Sequence, residues 1–387
     1  MDFSLTEEQE AIRQMAAEFA DKELRPHARE LDAKGEYPWD NLHKLARYGY
    51  LGMMLPEEFG GSGADVLSNT LCVEEISRAC AATGVIVEIH NSLTCDGIYR
   101  FGTDEQKARY LPALARGEKI GAFALTEPGA GSDASGIRTI AVRDGDHFVI
   151  NGTKHFITGA GQAHVYLLFA MTDPPKGTRG ISVFIVEKGM PGLSFGSPED
   201  KMGIRASHTG ELIFSDCRVP VDNLVGSEGD GYKIALTLLD GGRIGIGAQA
   251  VGIARAALDA ALRYSQERVQ FGQAISSFQA IQWMLADMAT EIEAARLLVY
   301  RAAYLRGKGV RCTKEVAMAK LFAAEVAMRT TMKAVQIHGG YGYMREYNVE
   351  RYMRDAKITE IYEGTSEIMR LLIASALLKE SKESKER

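Results

Sequence analysis

The sequence is poor in cysteine and has none of the patterns by which cysteines build a disulfide scaffold or a zinc site. Its 387 residues contain five cysteines, namely Cys72, Cys80, Cys95, Cys217 and Cys312. They form no C-x-x-C pair, no histidine stands at zinc-ligand spacing, and their odd number does not fit a complete set of disulfides. We therefore expect buried thiols in a reducing compartment and no metal site.

Long apolar runs and an excess of positive charge are also missing. No stretch approaches the roughly 18 uninterrupted apolar residues of a membrane-spanning helix. The first residues, MDFSLTEEQEAIRQ, begin an acidic amphipathic helix, whereas a secretory leader has a basic segment followed by an apolar one. The net charge of −6 argues against a nucleic-acid-binding face, which needs a sustained basic patch. We expect a cytoplasmic protein with no integral membrane segment and no nucleic-acid partner.

Several catalytic motifs are absent as well. The chain has no P-loop, no H-E-x-x-H and no G-x-S-x-G, so ATP hydrolysis, zinc proteolysis and serine hydrolysis lose support. GIGAQA at 245–250 matches the looser Rossmann fingerprint. Helical spacing continues on both sides of it, whereas the fingerprint needs a preceding strand. We interpret these small residues as sites of close helix packing.

What is present is a hydrophobic content of 46%, enough for a large core in two or three domains. Helical spacing dominates residues 1–120, and residues 121–228 change to short β-branched and aromatic runs separated by turns. Residues 229–387 return to long alanine- and leucine-rich helical patterns. No helices alternate with the strands, so the sheet is antiparallel or mixed. The fold class is α+β, with a helical, a β and a second helical domain in that order.

Glycine-rich polar loops interrupt these elements at three places. They are FALTEPGAGSDASG at 123–136, KHFITGAG at 154–161 and QIHGGYGY at 336–343. The first loop brings backbone N–H groups close to any ligand, which suits a pyrophosphate or the edge of a heterocycle. Taken alone, this loop fits ligand binding and a plain turn equally well.

A fourth interruption places a carboxylate inside an apolar helical pattern, in IYEGTSEI at 361–368. Gly364 permits backbone angles that other residues avoid, and Thr365 or Ser366 can cap a new helix. Glu363 is therefore expected in a tight turn. The alternative is an ordinary surface turn with a solvated carboxylate.

TEPGAGSD, NGTKHFITG, ERVQFG, QIHGGYGY and IYEGTSEI occur here in the order they have in one family, and the sequence resembles the acyl-CoA dehydrogenases. These flavoenzymes introduce a 2,3-double bond into acyl-CoA thioesters. The resemblance covers nearly the whole chain. It implies an N-terminal helical domain, a middle antiparallel β-domain and a C-terminal helical bundle, with FAD as cofactor.

By this resemblance Glu363 is the catalytic base, which takes the α-proton while the flavin N5 receives the β-hydrogen as hydride. The enolate oxygen is then held by the backbone N–H of Glu363 and a ribityl hydroxyl of FAD. Some relatives carry the base on a helix, immediately before an arginine like Arg243. Here Gly242 holds that position, which leaves Glu363.

The resemblance also implies binding residues. FAD contacts from the β-domain and its junction are Phe123, Leu125, Thr126, Gly131, Ser132, Phe156, Ile157 and Thr158, with Phe156 replacing a tryptophan of many relatives. FAD contacts across a subunit boundary, together with the start of the last helix, are Arg268, Phe271, Gln279, Gln336, Ile337, Gly339, Gly340, Thr365 and Glu367. Residues lining the acyl-CoA channel are Ser132, Asp240, Arg243, Tyr362 and Gly364.

Partners and substrate follow from the same likeness. HNSLTCDGIYRFG at 90–102 resembles short-chain or branched-chain members. The expected electron acceptor is an electron-transfer flavoprotein, and the expected assembly is a homotetramer. An acyl-CoA oxidase or a monooxygenase on the same scaffold and a flavin-free acyl-CoA-binding protein remain as alternatives. Relatives like nitroalkane oxidase use an aspartate as base, and Glu363 argues against them.

Overall fold

The computed structural model describes residues 4–385, and helices account for most of the chain before residue 116. Two of them begin with a capping box: at the first, the Thr6 hydroxyl accepts the Gln9 N–H while the Gln9 side chain accepts the Thr6 N–H, at 3.2 and 3.1 Å. The helices of this region are α1 (Glu7–Phe19), α2 (Arg25–Lys34), α3 (Trp39–Arg47), α4 (Val66–Ala79), α5 (Ala81–Glu88), α6 (Asp96–Phe101) and α7 (Asp104–Ala115).

A π-helical segment, Ile89–Cys95, joins α5 to α6 and connects the helices to the sheet. Its residue His90 is fully buried, and its Nδ1 accepts the Gly121 N–H at 3.0 Å while its Nε2 lies 3.2 Å from the Leu114 carbonyl. Burial lowers the pKa of His90 to about 4, so the ring stays neutral and serves both contacts. A second π-helical segment, Ala20–Leu24, joins α1 to α2.

The middle of the chain forms a mixed sheet in the order β6-β7-β3-β2-β4-β5-β8, with β1 beside β4. Its strands are β1 (Gly121–Ala124), β2 (Ile140–Asp144), β3 (His147–Thr158), β4 (Val165–Met171), β5 (Ile181–Glu187), β6 (Leu193–Phe195), β7 (Thr209–Pro220) and β8 (Leu224–Val225). Most pairs are antiparallel, but β1 and β2 each pair parallel to β4, so the sheet is the mixed one of the two predicted alternatives.

The parallel pairs have a topological cause. β1 and β2 lie along successive parts of one edge of β4, with Ala124 opposite Leu168 and Ile140 opposite Met171. The β2–β3 hairpin then returns the chain to the end of the sheet where β1 began, so β4 runs in the same direction as both. The segment between β1 and β2, residues 125–139, therefore leaves the sheet as a loop.

The C-terminal part returns to long helices, and the predicted order of helical, strand and helical regions is confirmed. The helices are α8 (Gly231–Glu267), α9 (Gln279–Gly307), α10 (Thr313–His338), α11 (Val349–Lys357) and α12 (Ser366–Lys385), with a small hairpin of β9 (Val269–Gln270) and β10 (Gln273–Ala274) after α8. Strands begin at Gly121 and helices resume at Gly231, while the domain boundaries at 120 and 228 stay predictions.

GIGAQA lies inside α8 and is buried, which confirms that these small residues serve helix packing. A Cβ added at Gly252, further along the same helix, would lie 2.3 Å from the Glu74 carbonyl oxygen of α4. The two backbones are therefore in direct contact at this point. All five cysteines are buried and unpaired, as expected. Within residues 4–385, no metal-binding cluster occurs and no helix is long and apolar enough to cross a membrane.

Candidate active site

Glu363 lies in the tight loop between α11 and α12, where the sequence predicted it. Its φ is 52° and that of Gly364 is 104°, so two successive residues have left-handed backbone angles. The Thr365 hydroxyl then accepts the Ile368 N–H at 3.3 Å and begins α12. Glutamate rarely adopts a positive φ, and such strain occurs preferentially at functional sites.

The main chain of this loop is fixed by two buried cations. Arg243 of α8 donates from Nε to the Glu363 carbonyl at 3.1 Å, and Lys320 of α10 donates from Nζ to the Gly364 carbonyl at 2.6 Å. Arg243 is held in turn by Asp240, at 3.2 Å. Two consecutive main-chain carbonyls thus bind the two cations, and the Glu363 carboxylate is hydrogen-bonded to neither of them.

The Glu363 carboxylate points into the protein interior. Both of its oxygens are inaccessible to solvent, and neither has a hydrogen-bond partner in the part of the chain that the structure describes. The solvated surface turn is therefore the wrong alternative. Burial raises the pKa of Glu363 to about 7, against the opposing effects of Glu88, Arg243 and Lys320. A carboxyl with this pKa can accept a proton at neutral pH.

A glycine of α8 makes room for this carboxylate. A Cβ added at Gly242 would lie 2.1 Å from Glu363 Oε2 and 3.0 Å from a methyl carbon of Leu93. The neighbouring Tyr362 donates its hydroxyl to Gln249 Oε1, also on α8. The loop is thus packed against one face of α8, and any side chain at position 242 competes with the carboxylate for the same space.

The loop 125–139 is closed by a buried ion pair that the sequence analysis missed. Lys154 of β3 donates to Glu127 Oε1 at 2.7 Å and to the Leu125 carbonyl at 3.0 Å. Glu127 also accepts the N–H groups of Arg138 and Thr139, at 2.6 and 2.9 Å. One carboxylate therefore ties both ends of the loop to β3. The signal was present as an acidic residue in TEPGAGSD and a basic residue in NGTKHFITG.

The residues predicted to contact the flavin from this side lie on β1, on the loop 125–139 and on β3. Leu125 and Ile157 are buried, Phe123, Thr126 and Thr158 are half-buried, and Gly131 and Ser132 are exposed. Phe156 has a φ of 56° at a register shift of β3, and its ring is 61% exposed. A Cβ added at Gly129 or Gly131 would meet no atom within 4 Å, so the outer side of the loop is open.

The residues predicted to act across a subunit boundary form a separate group at the end of α8. An open cavity of about 550 Å³ is lined by Arg268, Ile337, Gly339 and Gly340, and also by Tyr264, Gln270, Ile275, His338, Tyr341 and Met344. The Arg268 guanidinium lies over the Tyr341 ring at 5.5 Å. None of the loop 125–139 residues lines this cavity.

The remaining predicted residues have these positions. Phe271 is 94% exposed at the turn between β9 and β10, and Gln279 and Gln336 are exposed. Thr365 is occupied in capping α12, and Glu367 is exposed in its first turn. Asp240, Arg243, Tyr362 and Gly364 surround Glu363, whereas Ser132 is not among their hydrogen-bond partners. Lys320, Gln249 and Glu88 join this group without having been predicted.

Family models of the acyl-CoA dehydrogenase N-terminal, middle and C-terminal domains match residues 6–118, 122–217 and 229–378. The chain belongs to the acyl-CoA dehydrogenase family. It is 55% identical over 379 residues to the short-chain-specific acyl-CoA dehydrogenase of Clostridium acetobutylicum, covering 98% of this chain and 100% of the relative. The family is FAD-dependent, and the predicted family, fold class and enzyme class are confirmed.

Two solved structures are similar over the same extent. The butyryl-CoA dehydrogenase of Megasphaera elsdenii superposes with a TM-score of 0.96 at 50% identity, covering 98% of this chain and 100% of that one. A chain in a structure described as an electron transferring flavoprotein of Acidaminococcus fermentans has a TM-score of 0.97 at 55% identity, with the same coverages.

The packing of Glu363 on Gly242 predicts the effect of one added methyl group. Gly242→Ala should displace the carboxylate while leaving the fold intact, because the group it meets is the mobile end of a side chain. Because Glu363 is the predicted base, we expect acyl-CoA-dependent flavin reduction to slow by about 10²-fold or more, the effect of misplacing a reacting group. Gly247→Ala adds the same methyl to α8 against Val299, 2.9 Å away, and is the control. Equal rates in both variants and the parent enzyme would contradict the packing argument.

Proposed function

We propose that this protein is an FAD-dependent acyl-CoA dehydrogenase acting on short acyl chains, and that Glu363 is its base. The product is a trans-2-enoyl-CoA. The observation that carries the proposal is the buried carboxylate of Glu363, whose oxygens accept no hydrogen bond from an N–H or hydroxyl group of the described residues while its main chain is fixed by Arg243 and Lys320. An oriented carboxylate in a desolvated site is what abstraction of a weakly acidic C–H requires.

Glu363 and the two cations that bind its loop each contribute to this chemistry. The α-hydrogen of a thioester is weakly acidic, so the base must be ionised at working pH and held against the substrate. Arg243 and Lys320 favour the anion of Glu363 and so limit the rise of its pKa to about 7, at which about half of the groups are ionised at neutral pH. The Glu363 N–H, in the role that the family resemblance implies, donates to the thioester oxygen as negative charge develops there. Proton transfer therefore ends with a neutral Glu363.

FAD fits the two sets of residues described above, one around the loop 125–139 and one around the cavity at the end of α8. Leu125 and Phe156 offer apolar contact for a planar ring, and Gly129 and Gly131 have no atom within 4 Å of an added Cβ, so a ligand can approach the backbone there. Arg268 and the glycines at 339–340 suit the adenosine diphosphate half, because a guanidinium binds phosphate and the glycines leave space. The proposed contacts also include Phe123, Thr126, Ser132, Ile157 and Thr158. When bound, FAD accepts the β-hydrogen as hydride.

A short acyl chain is supported by likeness and by sequence. The relatives described above are a short-chain-specific dehydrogenase and a butyryl-CoA dehydrogenase, each at least 50% identical. The 90–102 segment agrees with both short and branched chains. We propose butyryl-CoA as the test substrate, and fatty acid β-oxidation as the process served. A scan of kcat/KM over straight chains of rising length and their methyl-branched analogues separates the two classes.

Replacing the base should abolish the reaction without unfolding the protein. Glu363→Gln keeps the size of the side chain and removes the proton acceptor, so anaerobic butyryl-CoA should leave the flavin oxidised, with at least a ~10²-fold loss in the rate of reduction. In the parent enzyme that rate should rise as pH increases through about 7, because only the ionised Glu363 accepts a proton. Glu360→Gln, an ion-paired glutamate three residues earlier, is the control. If butyryl-CoA reduced and bleached the flavin of Glu363→Gln at the normal rate, another residue would have to be the base.

We further propose that FAD is shared between subunits of a homotetramer. Arg268 is half-buried beside the open cavity, and Phe271 next to it is almost fully exposed in the single chain, which suits a subunit contact. Arg268→Ala should lower FAD affinity and weaken the oligomer together, since a ligand at an interface links occupancy to assembly. Exposed Arg263 lies near the end of α8, just before Arg268, and supplies the control, Arg263→Ala. Sizing with and without FAD tests this, and a fully flavinated monomer would exclude it.

The proposed electron acceptor is an electron-transfer flavoprotein, which the likeness to the Acidaminococcus fermentans structure supports. Substrate between Glu363 and the flavin occupies the space where oxygen would meet the reduced ring. After reduction by butyryl-CoA, reoxidation should be slow in air and fast with the flavoprotein. Rapid turnover in air with stoichiometric peroxide and no gain from the flavoprotein would identify an oxidase. A colourless purified protein that binds acyl-CoA would indicate the flavin-free alternative.

A further inference from the structure

A second carboxyl is buried beside the proposed base. Glu88 is the last residue of α5, and the π-helical segment begins directly after it. Its side chain is fully buried, and neither oxygen has a partner with full hydrogen-bond geometry in residues 4–385. Burying an unpaired carboxylate is costly, so a carboxyl in this position calls for a functional explanation. The chemistry derived above for Glu363 does not include it.

Two glycines place Glu88 next to Glu363. A Cβ added at Gly245 would lie 2.2 Å from Glu88 Cγ and 2.8 Å from its Oε1, while one added at Gly242 would lie 2.1 Å from Glu363 Oε2. Gly242 and Gly245 are three residues apart on α8, so they share one helix face. The two carboxyls therefore occupy adjacent places over the same glycine surface. Each of the two carboxyl groups affects the pKa of the other, as expected for neighbours in a buried site.

Two carboxyls this close in a buried site cannot both be ionised. The surrounding charges are not shared equally between them. Arg243 of α8 and Lys320 of α10 favour the anion of Glu363, whereas the only group of the described chain that favours the anion of Glu88 is the Ser92 hydroxyl, in the π-helical segment that follows. Burial, and then the charge of Glu363, raise the pKa of Glu88 well above its usual range.

The remaining titratable groups around the pair do not reverse this asymmetry. Tyr362 is neutral, since burial raises its pKa well above the usual range, and its hydroxyl donates to Gln249. Asp240 is paired with Arg243, and Glu360 and Glu367 act on Lys320. The negative charge thus belongs on Glu363 and the proton on Glu88.

We propose that Glu88 is a positioning residue for the base: it retains a proton and directs it as a hydrogen bond to Glu363, which holds Glu363 as an oriented anion before substrate binds. This proposal rests on the proposed function, because it assumes that Glu363 is the base. No other proton donor approaches the Glu363 carboxyl within the described chain.

Glu88→Gln and Glu88→Leu test the proposal through the pH dependence of flavin reduction. The rate of flavin reduction is expected to rise with pH, and this rise is called the rising limb of the pH profile. Glutamine keeps a donor of the same size, so the apparent pKa of the rising limb should stay near that of the parent enzyme. Leucine removes the donor, so the limb should move up by about one pH unit, the effect of one hydrogen bond to a charged group. Thr94→Val is the control. It removes a buried hydroxyl from the π-helical segment that follows Glu88 and should not move the rising limb.

Infrared difference spectra of the resting holoenzyme give a readout that needs no turnover and no leucine variant. At a pH well above 7, where Glu363 is ionised, the carbonyl stretch of a protonated carboxylic acid should be present in the parent enzyme and in Glu363→Gln, and absent in Glu88→Gln. Absence of a band that depends on Glu88, or a downward shift of the limb on its removal, would show an ionised Glu88 and overturn the proposal. An unchanged limb in both variants would leave Glu88 a structural role only. Failure of the proposed function is distinct, since it appears as full activity of Glu363→Gln.

Discussion

The architecture of the site depends on one interaction: two buried cations bind two consecutive main-chain carbonyls. Arg243 and Lys320 belong to different helices, yet they meet at the carbonyls of Glu363 and Gly364, at 3.1 and 2.6 Å. Hydrogen bonds from charged donors are stronger than neutral ones, so the left-handed backbone of this loop is held against its strain. The Glu363 carboxylate is directed into the interior, over Gly242 of α8.

Helix α8 connects this interaction to the rest of the molecule. Its glycines let α4 approach at Gly252, Glu88 at Gly245 and Glu363 at Gly242. Each of these contacts would be blocked by a methyl group, so the small residues of one helix decide which groups share the site. Burial and the cations then act in opposite directions on Glu363, and the balance leaves its pKa near neutrality.

Much of this could be predicted from the sequence, because local chemistry determines it. Gly364 and Thr365 indicated the turn at Glu363, and the runs of β-branched residues indicated the middle sheet. The parallel pairs were not predictable, since they depend on where the β2–β3 hairpin returns the chain. Lys320 and Glu88 were missed because each lies in an apolar helical pattern, in which a charged residue is normally expected to face solvent. The two patterns are AMAKLFAA and GVIVEIHN. Only packing shows that both face the loop.

The central claim is that the buried carboxylate of Glu363 takes the α-proton, and hydrogen exchange measures that step directly. Flavinated enzyme is incubated anaerobically in D₂O with excess butyryl-CoA and no electron acceptor, and the α-hydrogens of the acyl group are followed by proton NMR. The account predicts that the parent enzyme replaces α-hydrogen by deuterium, and that a flavinated protein with glutamine at position 363 does not. Continued deuteration without the carboxylate would contradict the assignment of Glu363 as the base.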